Sequence, residues 1–181
     1  MGTAGKYTDR PTITYVPITG AKFNESFLTP IPPKAVLFLL QSGWPVDLIF
    51  PIVVDSINGL RSRLSAGANQ RLGDPEYYYL VSLLRKIQKS GAIGMRIVKE
   101  TDQKQTTVLF FYRENIPPDI AEARMEVYQI LGLNPAKQEL QVSYGLIPQS
   151  DNEIAMLTRS TLQIMVDLAT QIDVPSQHVL E

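Results

Sequence analysis

Two runs of alternating residues, Ile93–Glu100 and Gln105–Arg113, flank the polar segment Thr101-Asp102-Gln103-Lys104. Side chains that recur with a period of two belong to strands, and two such runs around a short polar segment predict an antiparallel hairpin. In the second run Thr106, Val108, Phe110 and Tyr112 share one side, and Thr107, Leu109 and Phe111 share the other. Both sides are bulky, so this strand is expected inside a sheet with both faces covered.

Around the hairpin the chain alternates helical and extended patterns. Thr12–Ile18 is rich in β-branched residues and reads as a strand, with Pro17 marking an edge or its end. Phe23–Pro33 reads as an anchored irregular loop, because three prolines remove ladder donors while Phe23, Phe27, Leu28 and Ile31 supply apolar side chains. Pro33 can open a helix that stops at Gly43. Trp44-Pro45 then restarts one through Leu48, Ile49, Ile52, Val53 and Ile57 to near Gly59, kinked at Pro51, with Trp44 filling the elbow. Arg61–Gly73 is small, polar and loop-like.

Asp74-Pro75-Glu76 is a strong helix start, with a capping oxygen, a proline at the first position and an acid in the first turn. That helix places Tyr77, Leu80, Leu84 and Ile87 on one face and Ser82, Arg85, Lys86 and Lys89 outside, and Gly91 ends it. Pro117-Pro118-Asp119 opens another, ended by Gly132; Leu140, Val142, Tyr144 and Leu146 alternate as a strand. Ser150 with Glu153 forms a capping-box pattern ahead of a last, mostly buried helix running to about Ile172. The order β-α-α-α-β-β-α-β-α predicts an α+β fold, with a mainly antiparallel or mixed sheet of three to four strands packed with about five helices.

With 181 residues and 44% hydrophobic content, the chain can bury one core. Residues 11–175 are expected to form a single domain after a lead-in over 1–10. Residues 176–181 read as a tail, with Leu180-Glu181 the scar of a purification tag. The net charge of −1 hides an asymmetry: Arg61 to Lys99 holds eight bases against two acids. A basic centre in an acidic surround can steer anionic partners, and it is equally the pattern of a solvated helix face.

The inventory for bond-making is thin. There is no cysteine, and the one histidine, His178, falls in the tail. A Ser–His pair would need that residue held within hydrogen-bond reach of its nucleophile. Asp119, Glu122 and Glu126 lie on the polar side of a helix N-terminus, where the dipole accounts for acids. Asp151-Asn152-Glu153 is explained by capping. Gly91-Ala92-Ile93-Gly94 lacks the lysine and hydroxyl of a phosphate loop and follows a helix instead of preceding one. Stacking on Tyr77, Tyr78 and Tyr79 would serve nucleic acid, but one helix face buries part of such a run, leaving Tyr78 outward, and a pI of 5.9 opposes it. No cofactor, metal or nucleic-acid partner is expected. The candidate interaction surface is Arg61, Arg63, Arg71, Tyr78, Arg85 and Lys89.

Thr8–Gly20 (TDRPTITYVPITG), Leu28–Pro33 (LTPIPP), Leu39–Pro45 (LLQSGWP), Ser56–Arg61 (SINGLR) and Thr158–Ile164 (TRSTLQI) give the chain a resemblance to a family of uncharacterised lipoproteins of Gram-negative bacteria. The resemblance implies an exported protein of the cell envelope, on the periplasmic side, lipid-anchored through a cysteine upstream of this sequence and continuing past Val179. It brings no activity and no site residues. Two functions follow as expectations. One is a non-enzymatic envelope module working by protein–protein contact or self-association. The other is a small-ligand binder or carboxylate-based enzyme with a pocket beneath Phe23–Pro33.

Overall fold

The computed structural model describes residues 20–65, 70–101, 104–111 and 116–172. Three helices come first: α1 (Ala21–Leu28), α2 (Pro33–Gln41) and α3 (Val46–Val53). The short strands β1 (Val54–Ile57) and β2 (Leu60–Arg61) precede the long helix α4 (Pro75–Ser90). The hairpin β3 (Ile93–Thr101) and β4 (Lys104–Phe111), helix α5 (Pro118–Ile130), strands β5 (Glu139–Tyr144) and β6 (Glu153–Thr158), and helix α6 (Thr161–Ala169) complete the order.

The six strands form one mixed sheet in the order β2-β1-β6-β5-β4-β3. Every pairing is antiparallel except β5 with β6. The expected α+β class and mixed sheet therefore stand, and the sheet is wider than three to four strands. The hairpin has the expected partners, with Ile93 opposite Phe111 and Met95 opposite Leu109, and β4 lies inside the sheet between β3 and β5. Leu109 and Phe111 of β4, Leu140 of β5, and Ile154 and Met156 of β6 point into one core with residues of α2, α3, α4 and α5. Val36, Val46, Tyr77, Leu80, Ile87 and Val127 form its driest part from the helix side. Each such aliphatic side chain withdrawn from water contributes about 1.5–3 kcal/mol. Helix α1 packs against α6 at the side of this assembly.

Four stretches fold otherwise than their sequence predicts. The first part of the expected irregular loop Phe23–Pro33, through Leu28, belongs to helix α1, and an isolated bridge between Pro30 and Ser160 ties the chain that follows to the start of α6. The helix expected to run to Gly59 ends at Val53, two residues beyond Pro51, which lacks an amide hydrogen and crowds the preceding turn. A hairpin takes over. Asn58 and Gly59 both have positive φ, 45° and 88°, the backbone of the two-residue turn whose twist suits a hairpin. Glu153–Thr158 is a strand, not the start of the last helix, because it lies between β1 and β5 and buries Ile154, Ala155 and Met156 in succession. The capping box belongs to Ser160 and Gln163: Gln163 N donates to Ser160 Oγ at 3.3 Å and Ser160 N donates to Gln163 Oε1 at 2.8 Å. Trp44, expected to fill the α2–α3 elbow, is 50% exposed. The predicted strand Thr12–Ile18 and the tail with His178 lie outside the described residues.

Candidate ligand-binding cavity

A cavity of about 480 Å3 lies between α2, α4 and the helix-covered face of the sheet. Its walls are apolar: Leu37 and Leu40 from α2, Phe50 from α3, Leu84 from α4, and Ile93, Leu109, Phe111, Val142, Ile154 and Met156 from the strands. These positions follow from the periods already described. β4, β5 and β6 each send alternate residues to this side, and α2 presents its buried stripe across them. The exposed members of the lining, Gln41, Gly43 and Gly91, mark the mouth, where α2 and α4 both end. Gly43 and Gly91 have φ of 95° and 73°, the left-handed stops that let both helices terminate at one place.

Two α4 side chains organise that mouth. Gln88 Nε2 donates to Trp44 O at 2.8 Å and Leu40 O at 3.3 Å, while its Oε1 accepts from Val46 N at 3.0 Å and from Arg85 Nη1 at 2.9 Å. Both amide hydrogens and both lone pairs are therefore engaged, so Gln88 locks the α2–α3 elbow onto α4. Arg85 is the one charged residue of the lining. Its Nε is 3.3 Å from Asp47 Oδ1, yet it is buried without an aligned hydrogen-bond acceptor. The distance alone would count as an ion pair. The lost alignment makes it a coulombic contact that satisfies the donor poorly.

At the opposite end of α4 the interior is polar. Arg159, only 2% exposed, lies beyond β6 and reaches three segments. Its Nη1 donates to Pro51 O at 3.1 Å and Ile52 O at 3.2 Å, carbonyls at the end of α3, and stands 3.5 Å from Asp167 Oδ2. Nη2 donates to Ser62 Oγ at 2.8 Å and to Arg63 O. Nε lies 3.8 Å from Asp55 Oδ1, and that carboxylate accepts from Arg71 Nη2 at 2.6 Å. Asp167 also accepts from Ser65 N at 2.7 Å, closing the loop after β2 onto α6. Tyr77 OH donates to Val54 O at 3.2 Å beside this cluster, and burial pushes its phenol well above the usual tyrosine range. A second hollow of about 310 Å3 adjoins it, lined by Pro51, Arg63, Tyr78 and Asp167. The sequence offered one signal for this cluster, an arginine between an apolar strand and an apolar helix. It was obscured when both were read as a single helix.

The six residues of the expected interaction surface divide between these two ends. Arg61 and Arg63 are exposed near the start of α4, where Tyr78, 40% exposed, accepts from Arg63 N at 3.2 Å. Arg71 is half-buried on Asp55. Arg85 lies roughly 10 Å further along α4 than Tyr78, at 1.5 Å per residue, and exposed Lys89 a turn beyond it. Of the tyrosine run Tyr77 is buried, but Tyr79 as well as Tyr78 faces out, contrary to expectation. The hydrogen bond from Tyr79 OH to Glu126 raises the Tyr79 pKa. Asp74 starts α4 as predicted, although its carboxylate accepts from Arg61 N at 2.7 Å and does not cap the helix. Asp119 pairs with Lys86 at 3.1 Å.

Among the described residues no group of three or more His, Asp or Glu is placed to hold a metal, and no helix is long and apolar enough to cross a membrane. No family model matches the chain, and no curated protein or solved structure matches it.

Proposed function

We propose that this chain is a non-enzymatic binding module of the bacterial cell envelope that holds a small apolar molecule in the cavity beneath α2. One observation carries the reading: a hollow of about 480 Å3 with apolar walls that opens at a mouth carrying polar groups. Small-molecule sites have this size and composition, with walls that supply desolvation and a few fixed polar groups that set orientation. The cavity lies under Pro33–Gln41, and no residue of 23–32 lines it, so the site is displaced from the pocket expected beneath Phe23–Pro33. A carboxylate-based reaction draws less support. The acids that converge, Asp55 and Asp167, each engage an arginine. Placement in the envelope rests on the resemblance of the Asp9–Ile13 and Gln41–Pro45 segments. It is checked by fractionating a Gram-negative host that expresses the full reading frame, where recovery in the cytosol would remove it.

The cavity is tested with N-phenyl-1-naphthylamine, a neutral apolar dye that brightens when desolvated. Saturable binding by the wild-type chain is expected. Leu40→Trp, which puts a bulky ring at the rim, should weaken binding by about tenfold, or 1.4 kcal/mol, with little change in the thermal melt. Absence of saturable binding, or equal binding by the variant, overturns the reading.

A further inference from the structure

Resting on that reading, we infer that the occupant is an amphiphile: one apolar chain ending in a single anionic head, with the head held by the Arg85 guanidinium. The lining has one charged group, and it sits at the mouth. Arg85 is fixed there before any ligand arrives, because Nη1 is held by a Gln88 whose four hydrogen-bonding positions are all engaged. Its Nε is a buried donor that lacks an aligned acceptor, and a ligand oxygen would supply one. The present counter-ion, Asp47, is half exposed, so exchanging it for a ligand carboxylate costs little.

The remaining volume sets the chain. At about 30 Å3 for each methylene-sized group, a chain of about twelve carbons takes up roughly 360 Å3, which the cavity accommodates with its head at the rim. The walls beyond the mouth are aromatic and aliphatic, so the chain should be unsubstituted.

The test is calorimetric titration of the full chain with dodecanoate and dodecan-1-ol below their aggregation limits. Dodecanoate should bind about tenfold tighter than the alcohol, as a charge-assisted bond to a fixed guanidinium implies. Arg85→Met should remove the preference. Asp47→Asn, which frees Arg85 of its competitor, should strengthen dodecanoate binding by several-fold, and it keeps the test alive if Arg85→Met fails to fold. Binding of both ligands without preference, with Asp47→Asn making no difference, overturns the anionic head and leaves the cavity reading intact. If neither ligand binds, both inferences are overturned.

Discussion

Helix α4 ends its two halves in opposite ways. At its start, Tyr77 and Tyr78 face a polar cluster in which Arg159 donates to three carbonyls, a hydroxyl and the Asp167 carboxylate, with its Nε 3.8 Å from Asp55 and without a hydrogen-bond partner. At its finish, Leu84 and Arg85 line an apolar hollow of about 480 Å3. The first end is closed because a buried charge is tolerated only when nearly every donor finds an acceptor. At the second, the walls beyond the mouth are apolar and meet no such requirement, and the one charged group, Arg85, keeps an Nε without an aligned acceptor. The contrast assigns rigidity to the Arg159 end and ligand access to the Arg85 end of one helix.

The comparison breaks most visibly at Arg159. Arg159→Met keeps most of the side-chain volume but takes the arginine from Asp167, leaves Asp55 to Arg71 alone, and leaves the carbonyls of Pro51, Ile52 and Arg63 without their donor. Removing one partner of a buried pair costs about 3–5 kcal/mol, a large part of a typical domain's stability. Urea unfolding should show that loss, and pairing the change with Asp167→Leu should recover part of it, because the two residues are directly coupled. A loss below about 1 kcal/mol would mean the polar end does not hold the fold shut.

Adding one methyl group at each end sharpens the contrast. A Cβ on Gly73 would come within 2.7 Å of Arg63 N and of the Tyr78 ring, and the backbone contact cannot yield cheaply. Gly73→Ala should therefore cost about 1–3 kcal/mol as overpacking. Val142 lines the cavity and is only partly buried, so Val142→Ile extends into empty space. It should leave stability unchanged or raise it by up to about 0.8 kcal/mol, the worth of one buried methylene group. Equal losses from both substitutions in thermal unfolding would show that the cavity end is as tightly packed as the polar one.

The sequence was most legible where the local signal and the packing agree. The β3–β4 hairpin, the start of α4 at Asp74-Pro75 and the stops at Gly43, Gly91 and Gly132 all follow from period, proline and positive φ. It was least legible where an element is buried on all sides. Ile154-Ala155-Met156 is apolar without alternation because β6 has neighbours on both edges and both faces, and such a run reads as helix as readily as strand. Asn58-Gly59 is a strong hairpin signal, but it followed an apolar stretch long enough to pass as one continuing helix. The cavity was foreseen only as a pocket elsewhere. A void has no residue of its own, so its place depends on how α2 and the strands meet. Arg85 and Gln88 lie three apart on α4, and only the α2–α3 elbow folding onto them turns that spacing into a mouth.

Tyr77 offers the effect most specific to the closed end. Burial is the main reason its phenol titrates above the ordinary value of 10, with Asp55 and Tyr78 adding to the rise and Arg159 opposing it. A group whose folded-state pKa lies above its unfolded one contributes stability that is fully present below the unfolded value and is lost as pH climbs past it. For Tyr77 that loss begins near pH 10, where the unfolded chain can release the proton and the folded chain cannot. At pH 11 it amounts to about 1.4 kcal/mol, one pH unit's worth for a single proton. Lysines and the exposed tyrosines titrate in the same range, so the informative quantity is a difference between variants. Tyr77→Phe gives up the bond to Val54 O at every pH, which lowers its stability by a constant amount. Between pH 9 and 11 the wild type should lose about that 1.4 kcal/mol relative to Tyr77→Phe in urea unfolding. A gap that stays constant over this range would mean that water reaches the phenol and that this end of the core is open.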